Sequence, residues 1–144
     1  MEKQKRAMDL INATDDNVGK VKIALQALSE ERGWGHFAIF YASREKNHYV
    51  QCAGERGKTT LHCEAVANDY LKPAFKLSES QLEQLRAIGW KPPIHGDPNY
   101  SNFHRDLEAA NDESQLHLAR EIMRTLEVYG FPPNKKLDLE LNLE

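Results

Sequence analysis

Three stretches of this chain carry side chains associated with catalysis or metal binding. The first is His95-Gly96-Asp97-Pro98-Asn99-Tyr100-Ser101-Asn102. In this HGDxxxxN order Asp97 would act as base toward a phosphoryl acceptor and Asn102 as a magnesium ligand. The second is Gly54-Glu55-Arg56-Gly57-Lys58-Thr59-Thr60, a glycine-framed run ending in Lys-Thr in the manner of a phosphate-binding loop. The third is the set His48, Cys52, His62 and Cys63, residue types that ligate zinc.

None of the three is complete. The HGDxxxxN run resembles the catalytic loop of aminoglycoside and choline kinase-like phosphotransferases. That chemistry needs a nucleotide lobe with a phosphate-covering loop and a lysine, then a second metal-binding aspartate. Only 94 residues precede His95, and they show no nucleotide lobe built around such a loop and lysine; FHRDLEAAND after Asn102 supplies no hydrophobic strand leading to such an aspartate. A Walker A run requires glycine where this chain has Cys52, and a helix after the lysine. TTLHCEAV instead favours a strand, so Arg56-Gly57 is expected to centre a hairpin turn. With that two-residue turn Cys52 faces Leu61 and Val50 faces Cys63. His62 then points away from both cysteines, and His48 lies about 13 Å along the strand from Cys52. Cys52 and Cys63 are accordingly expected to be buried small apolar residues rather than a disulfide framework. No spacing links Ser, His and Asp into a triad. The expectation is a domain with no catalytic residues, no cofactor and no metal.

The elements that frame these residues are more legible. Ser78 with Gln81 forms a capping box, Leu77 with Leu82 its hydrophobic staple, and Leu82, Leu85 and Ile88 one apolar stripe. Gly33-Trp34, Gly89-Trp90 and Gly130-Phe131 each place a glycine and an aromatic after an amphipathic run, a helix stop in which the aromatic packs back onto the last turn. Helices follow at roughly 16–32, 78–88 and 112–129. The first carries Val18, Val21, Leu25 and Leu28 on one face. The last carries Leu116, Ala119, Ile122, Met123, Leu126 and Tyr129. Between the first two helices lie strands at His36–Ala42, Asn47–Ala53 and Lys58–Ala67. The fold class is α+β: a helix, a three-stranded antiparallel meander, then two further helices packed with the sheet.

Length and charge bound the function. A chain of 144 residues is one domain, with 40% apolar and 28% charged residues as in ordinary globular proteins. Residues 1–14 form a flexible leader, frayed or helical, and 15–137 the domain. Residues 138–144 form an acidic tail whose period-two alternation suits a late strand or a loose end. A net charge of −3 argues against a nucleic-acid partner. The N-terminus MEKQKRAMDL lacks the apolar core of a signal peptide, and no apolar run approaches a membrane span. A cytoplasmic, reducing setting is expected, with no membrane partner.

Alternation along the meander assigns two faces. Val50, Cys52, Leu61, Cys63 and Ala65 form the core side, and Tyr49, Gln51, Thr60, His62 and Glu64 the half-solvated side. The first strand is apolar on both faces, so register decides. If Ala42 pairs with His48, then Phe37, Ile39 and Tyr41 join Tyr49 in an aromatic patch suited to a peptide. If the register slips by one residue, they enter the core and the patch vanishes. On the patch reading the peptide-binding residues are Phe37, Ile39, Tyr41, Tyr49, Gln51, His62 and Glu64, with His62 beside Glu64 lending pH dependence.

A family resemblance points the same way. Glu64-Ala65-Val66-Ala67-Asn68-Asp69-Tyr70-Leu71, then Leu85-Arg86-Ala87-Ile88-Gly89-Trp90-Lys91-Pro92-Pro93, Asn102-Phe103, and Ala119 with Leu126–Gly130 carry it. Over roughly residues 16–137 the chain resembles the YbjN-like proteins and type III secretion chaperones, in the branch with a Leu-Gly-Trp…Pro motif. Those chaperones place two strands between their second and third helices, where residues 91–111 leave room for one short strand. The resemblance implies a non-enzymatic, chaperone-like domain, monomer or homodimer, that holds a partner polypeptide against its sheet and helices. The alternative is an immunity or adaptor protein that binds one cognate partner. A small phosphotransferase using the HGDPNYSN loop comes third.

Overall fold

The computed structural model describes residues 2–31, 35–55 and 57–143. The Gly33-Trp34 stop and Arg56 of the hairpin turn lie outside them. Four helices, α1 (Glu2–Asn12), α2 (Asn17–Glu31), α3 (Glu79–Ile88) and α4 (Asp112–Val128), form one layer, in which α1 touches α2, α2 touches α4 and α4 touches α3. Five strands, β1 (Phe37–Ser43), β2 (His48–Gly54), β3 (Thr60–Ala65), β4 (Phe103–Glu108) and β5 (Asp138–Asn142), form an antiparallel sheet in the order β4-β3-β2-β1-β5. The expected α+β meander is therefore present and gains a strand on each side. Of the two readings of each terminus, the structure takes the helix at 2–12 and the strand at 138–142.

Local sequence explains both ends of α3 and α4. The Ser78 hydroxyl accepts from the Gln81 backbone N–H while the Gln81 side chain accepts from the Ser78 N–H, completing the capping box. Gly89 sits at φ 122°, and the Trp90 N–H donates to the Leu85 carbonyl, the six-to-one bond of a Schellman stop. A side chain at Gly89 would be strained there, and its Cβ would lie 3.1 Å from the Arg105 guanidinium. Helix α4 repeats the plan with Asn111 and Ser114 at its start and Gly130-Phe131 at its end. On α4 the buried apolar stripe includes Leu118, whereas Leu116, assigned to that stripe from sequence, is only half-buried. Lys20, only 2% exposed, donates to the Ile11 carbonyl and so caps the C-terminus of α1.

The core lies between the helix layer and one sheet face. Val21, Ala24, Leu25 and Leu28 of α2 and Ile122 and Leu126 of α4 meet Ala38, Phe40, Val50, Cys52, Leu61, Cys63 and Ala65, all fully buried. Trp90 is 3% exposed and donates its indole N–H to Thr125 Oγ1 at 2.9 Å. Beside it Arg105 pairs with Glu121 at 3.2 Å, both largely buried.

Two sequence expectations are corrected in β2 and β3. The register is Cys52 opposite Cys63 and Gly54 opposite Leu61, not Cys52 opposite Leu61. The connection is wider than a two-residue turn: it runs from Gly54 to Leu61, with Lys58 N–H donating to the Glu55 carbonyl inside it. A shift of two preserves the faces, since alternation has period two, but brings the cysteines together. They are fully buried, with Cα atoms 4.1 Å apart, and joined as a disulfide rather than standing as separate apolar residues.

Candidate functional site

All seven residues singled out from sequence lie on the sheet face opposite the helices. The β1–β2 register sets Phe37 against Ala53, Ile39 against Gln51 and Tyr41 against Tyr49. This is the register that keeps Phe37, Ile39 and Tyr41 off the core, with a bulge following at Ala42. Each of the seven is half-buried, while Ala38, Phe40 and Ala42 on the other side of β1 are buried beneath the helices. Two rows cross the sheet on the open side: Glu140–Ile39–Gln51–Glu64–His104 and Asn142–Phe37–Ala53–His62–Asp106.

The face is not uniform. At one end the Arg44 guanidinium lies 4.1 Å over the Tyr41 ring and bonds Asp138 and Glu140 at 2.5 to 3.0 Å. Arg44 therefore roofs Tyr41 and leaves Phe37 and Ile39 as the less covered apolar part. The Tyr41 hydroxyl is held above its usual pKa, first by burial and then by Glu140. The Tyr49 hydroxyl is held above its usual pKa mainly by burial, with the Asn102 side chain acting in the opposite direction; the ring packs at the margin of the core.

At the other end a groove of about 850 Å³ opens over β3 and β4. Thr60, His62 and Glu64 form its floor, and the turn Pro98–Tyr100 forms a wall. The Tyr100 ring stands 6.1 Å from His62 and 4.6 Å from His104, centroid to centroid. His62 bonds Asp106 across the strand pair at 2.7 Å, so its acidic partner is Asp106 rather than Glu64. Glu64 has no ion-pair or hydrogen-bond partner among the described residues.

Charge is concentrated here. Among the described residues the face and its groove carry the carboxylates of Glu55, Glu64, Asp106, Glu108, Asp138 and Glu140. Against them stand Arg44, Lys58 and Lys91, the last in register with His104.

The residues that mimicked an active site have other work. Asp97 accepts from the Asn99 backbone N–H and caps the 3₁₀ turn. Asn102, 8% exposed, accepts from the Ala67 N–H and ties the loop to the end of β3. His48 bonds the Phe75 carbonyl at 2.8 Å, and the two cysteines bond each other. Among the described residues no group of three or more His, Cys, Asp or Glu is placed to hold a metal.

Sequence reasoning missed Tyr100, Asp106 and Arg44. The signal for Asp106 was present, since His104, Asp106 and Glu108 alternate with Phe103, Arg105 and Leu107. Tyr100 lies inside the loop set aside as an incomplete phosphotransferase motif.

A family model described as TY-Chap3, T3SS (YopN, CesT) and YbjN peptide-binding chaperone 3, matches residues 23–141. The chain belongs to that family. No curated protein and no solved structure matches it. The TY-Chap3 match spans α2 through β5 almost entire and leaves α1 outside. Helix α1 nevertheless closes the β5 edge: the Gln4 amide donates to the Leu141 carbonyl and accepts from the Leu143 N–H at 2.8 Å. Asn17 does the same near the strand's start, accepting from the Leu137 N–H and donating to the Lys135 carbonyl. The family is one of peptide-binding chaperones, generally non-enzymatic. No described helix is long and apolar enough to cross a membrane.

Proposed function

We propose that this TY-Chap3 chain is a non-enzymatic chaperone-like domain that docks a partner polypeptide on the open sheet face, over Phe37 and Ile39. One observation carries the reading. The four described helices lie in one layer on the far side of the sheet, so an apolar strand face is left without a described helix to cover it. Tyr41 and Tyr49 bound the contact, and Gln51, His62 and Glu64 orient the partner by hydrogen bonds. An open face encloses a ligand on one side only, so the affinity is modest. A cytoplasmic setting belongs to the same reading. The Cys52–Cys63 disulfide is compatible with it because both sulfurs are fully buried, away from reducing thiols.

The test is selection of a displayed random-peptide library on the wild type and on a Phe37→Ser/Ile39→Asp variant matched in denaturation midpoint. Enrichment on the wild type alone is expected. Equal enrichment on both would remove the open face as the docking surface.

A further inference from the structure

The open face carries an electrostatic demand as well as an apolar one. Glu64 stands at the floor of the groove without a hydrogen-bond or ion-pair partner among the described residues, while Glu55, Asp106, Asp138 and Glu140 each have one. Glu108 is held by the hydroxyls of Thr59 and Thr60. A carboxylate left unpaired beside an aromatic wall, on a face where carboxylates outnumber lysine and arginine among the described residues, is poised for a cation from outside. Ile39 lies in the same cross-sheet row, two strands away through Gln51, at about 10 Å by strand spacing.

We infer that the segment docked on this face is cationic and apolar: an aliphatic side chain seats on Phe37 and Ile39, and a lysine or arginine of the same segment reaches Glu64 beside Tyr100. The inference rests on the docking reading above and adds the partner's chemistry to it. In an extended chain, side chains at i and i+2 leave on the same side, roughly 7 Å apart, and a lysine stem spans the remainder. A neutral segment of equal hydrophobicity gains nothing at Glu64, and an acidic one is in addition repelled by the net negative charge of the face.

Fluorescence anisotropy with two labelled peptides tests this, one of repeated Leu-Ser-Lys-Ser units and one of repeated Leu-Ser-Glu-Ser units. The lysine peptide binds, and the glutamate peptide binds at least about thirtyfold more weakly. Raising NaCl from about 50 to about 300 mM weakens the lysine peptide several-fold. Glu64→Gln weakens it about three- to tenfold, while Glu113→Gln, at the exposed start of α4, leaves it unchanged. Equal affinity of the two peptides, or no effect of Glu64→Gln, overturns the inference and leaves docking on the face standing. Failure of both peptides to bind overturns the docking reading with it.

Discussion

Replacing Trp90 by alanine tests the packing on which the sheet depends. Trp90 is 3% exposed, and its N–H is satisfied by Thr125 Oγ1, itself fully buried and bonded to the Glu121 carbonyl. Removing the ring opens a cavity between α3, α4 and β4 that the surrounding backbone, held by the Gly89 stop and the Arg105–Glu121 pair, does not fill. A buried tryptophan lost to alanine costs about 3–5 kcal/mol. A chain of this size has roughly 7–20 kcal/mol in all. With a urea slope near 2 kcal/mol/M, the midpoint falls by about 1.5–2.5 M. Far-UV circular dichroism in urea reads it with the slope unchanged. Thr125→Val isolates the polar part, leaving the indole N–H buried and unpaired at about 1–3 kcal/mol. If Trp90→Ala kept the wild-type midpoint and slope while abolishing peptide binding, Trp90 would be a surface contact, and its reading as the anchor of the helix stop would fail.

Three further outcomes are expected. Ellman's reagent finds no thiol in the native protein or in guanidinium, and thiols appear only after reduction; reactive thiols in unreduced, denatured protein would refute the Cys52–Cys63 bond. Tyr129 donates to the Val66 carbonyl at 2.6 Å, and burial, its largest cause, raises its pKa above the usual value near 10. The native state keeps that proton longer than the unfolded chain, so stability present below pH 10 is lost as pH rises further. Tyr129→Phe costs about 1–2 kcal/mol at pH 7 and shows a shallower alkaline decline, and equal declines would contradict this. Gln4→Ala frees the outer edge of β5, so the Leu143 amide exchanges about tenfold faster or more by hydrogen exchange, whereas unchanged exchange would show that the amide bond adds no protection.

The helix ends were legible because a cap is made by residues within five positions of one another. Ser78, Gln81, Gly89 and Trp90 suffice for α3, whatever lies around it. The two faces of the meander were legible for a related reason: alternation has period two, so even a register wrong by two residues kept Val50, Cys52, Leu61 and Cys63 together. The disulfide was not legible, because it depended on the width of the Gly54–Leu61 connection, and no residue in that stretch specifies one width. Asp106 and Tyr100 were hidden differently. They reach His62 from about forty residues away, through the pairing of β4 with β3.

Residue order alone thus settled the α+β class, the helix stops at Gly89-Trp90 and Gly130-Phe131 and the division of each central strand into two sides, since these follow from short-range hydrogen bonds and periodicity. It left open which side of β1 is covered, because Phe37, Ile39 and Tyr41 are as apolar as Ala38 and Phe40. That choice was made by the long-range packing of α2 and α4 onto Ala38, Phe40 and Val50, the burial that satisfies the most apolar surface at once. The groove follows from the same cause: once β4 pairs with β3, the Pro98–Tyr100 turn is carried over His62 and His104, and Glu64 is left facing it without a partner among the described residues.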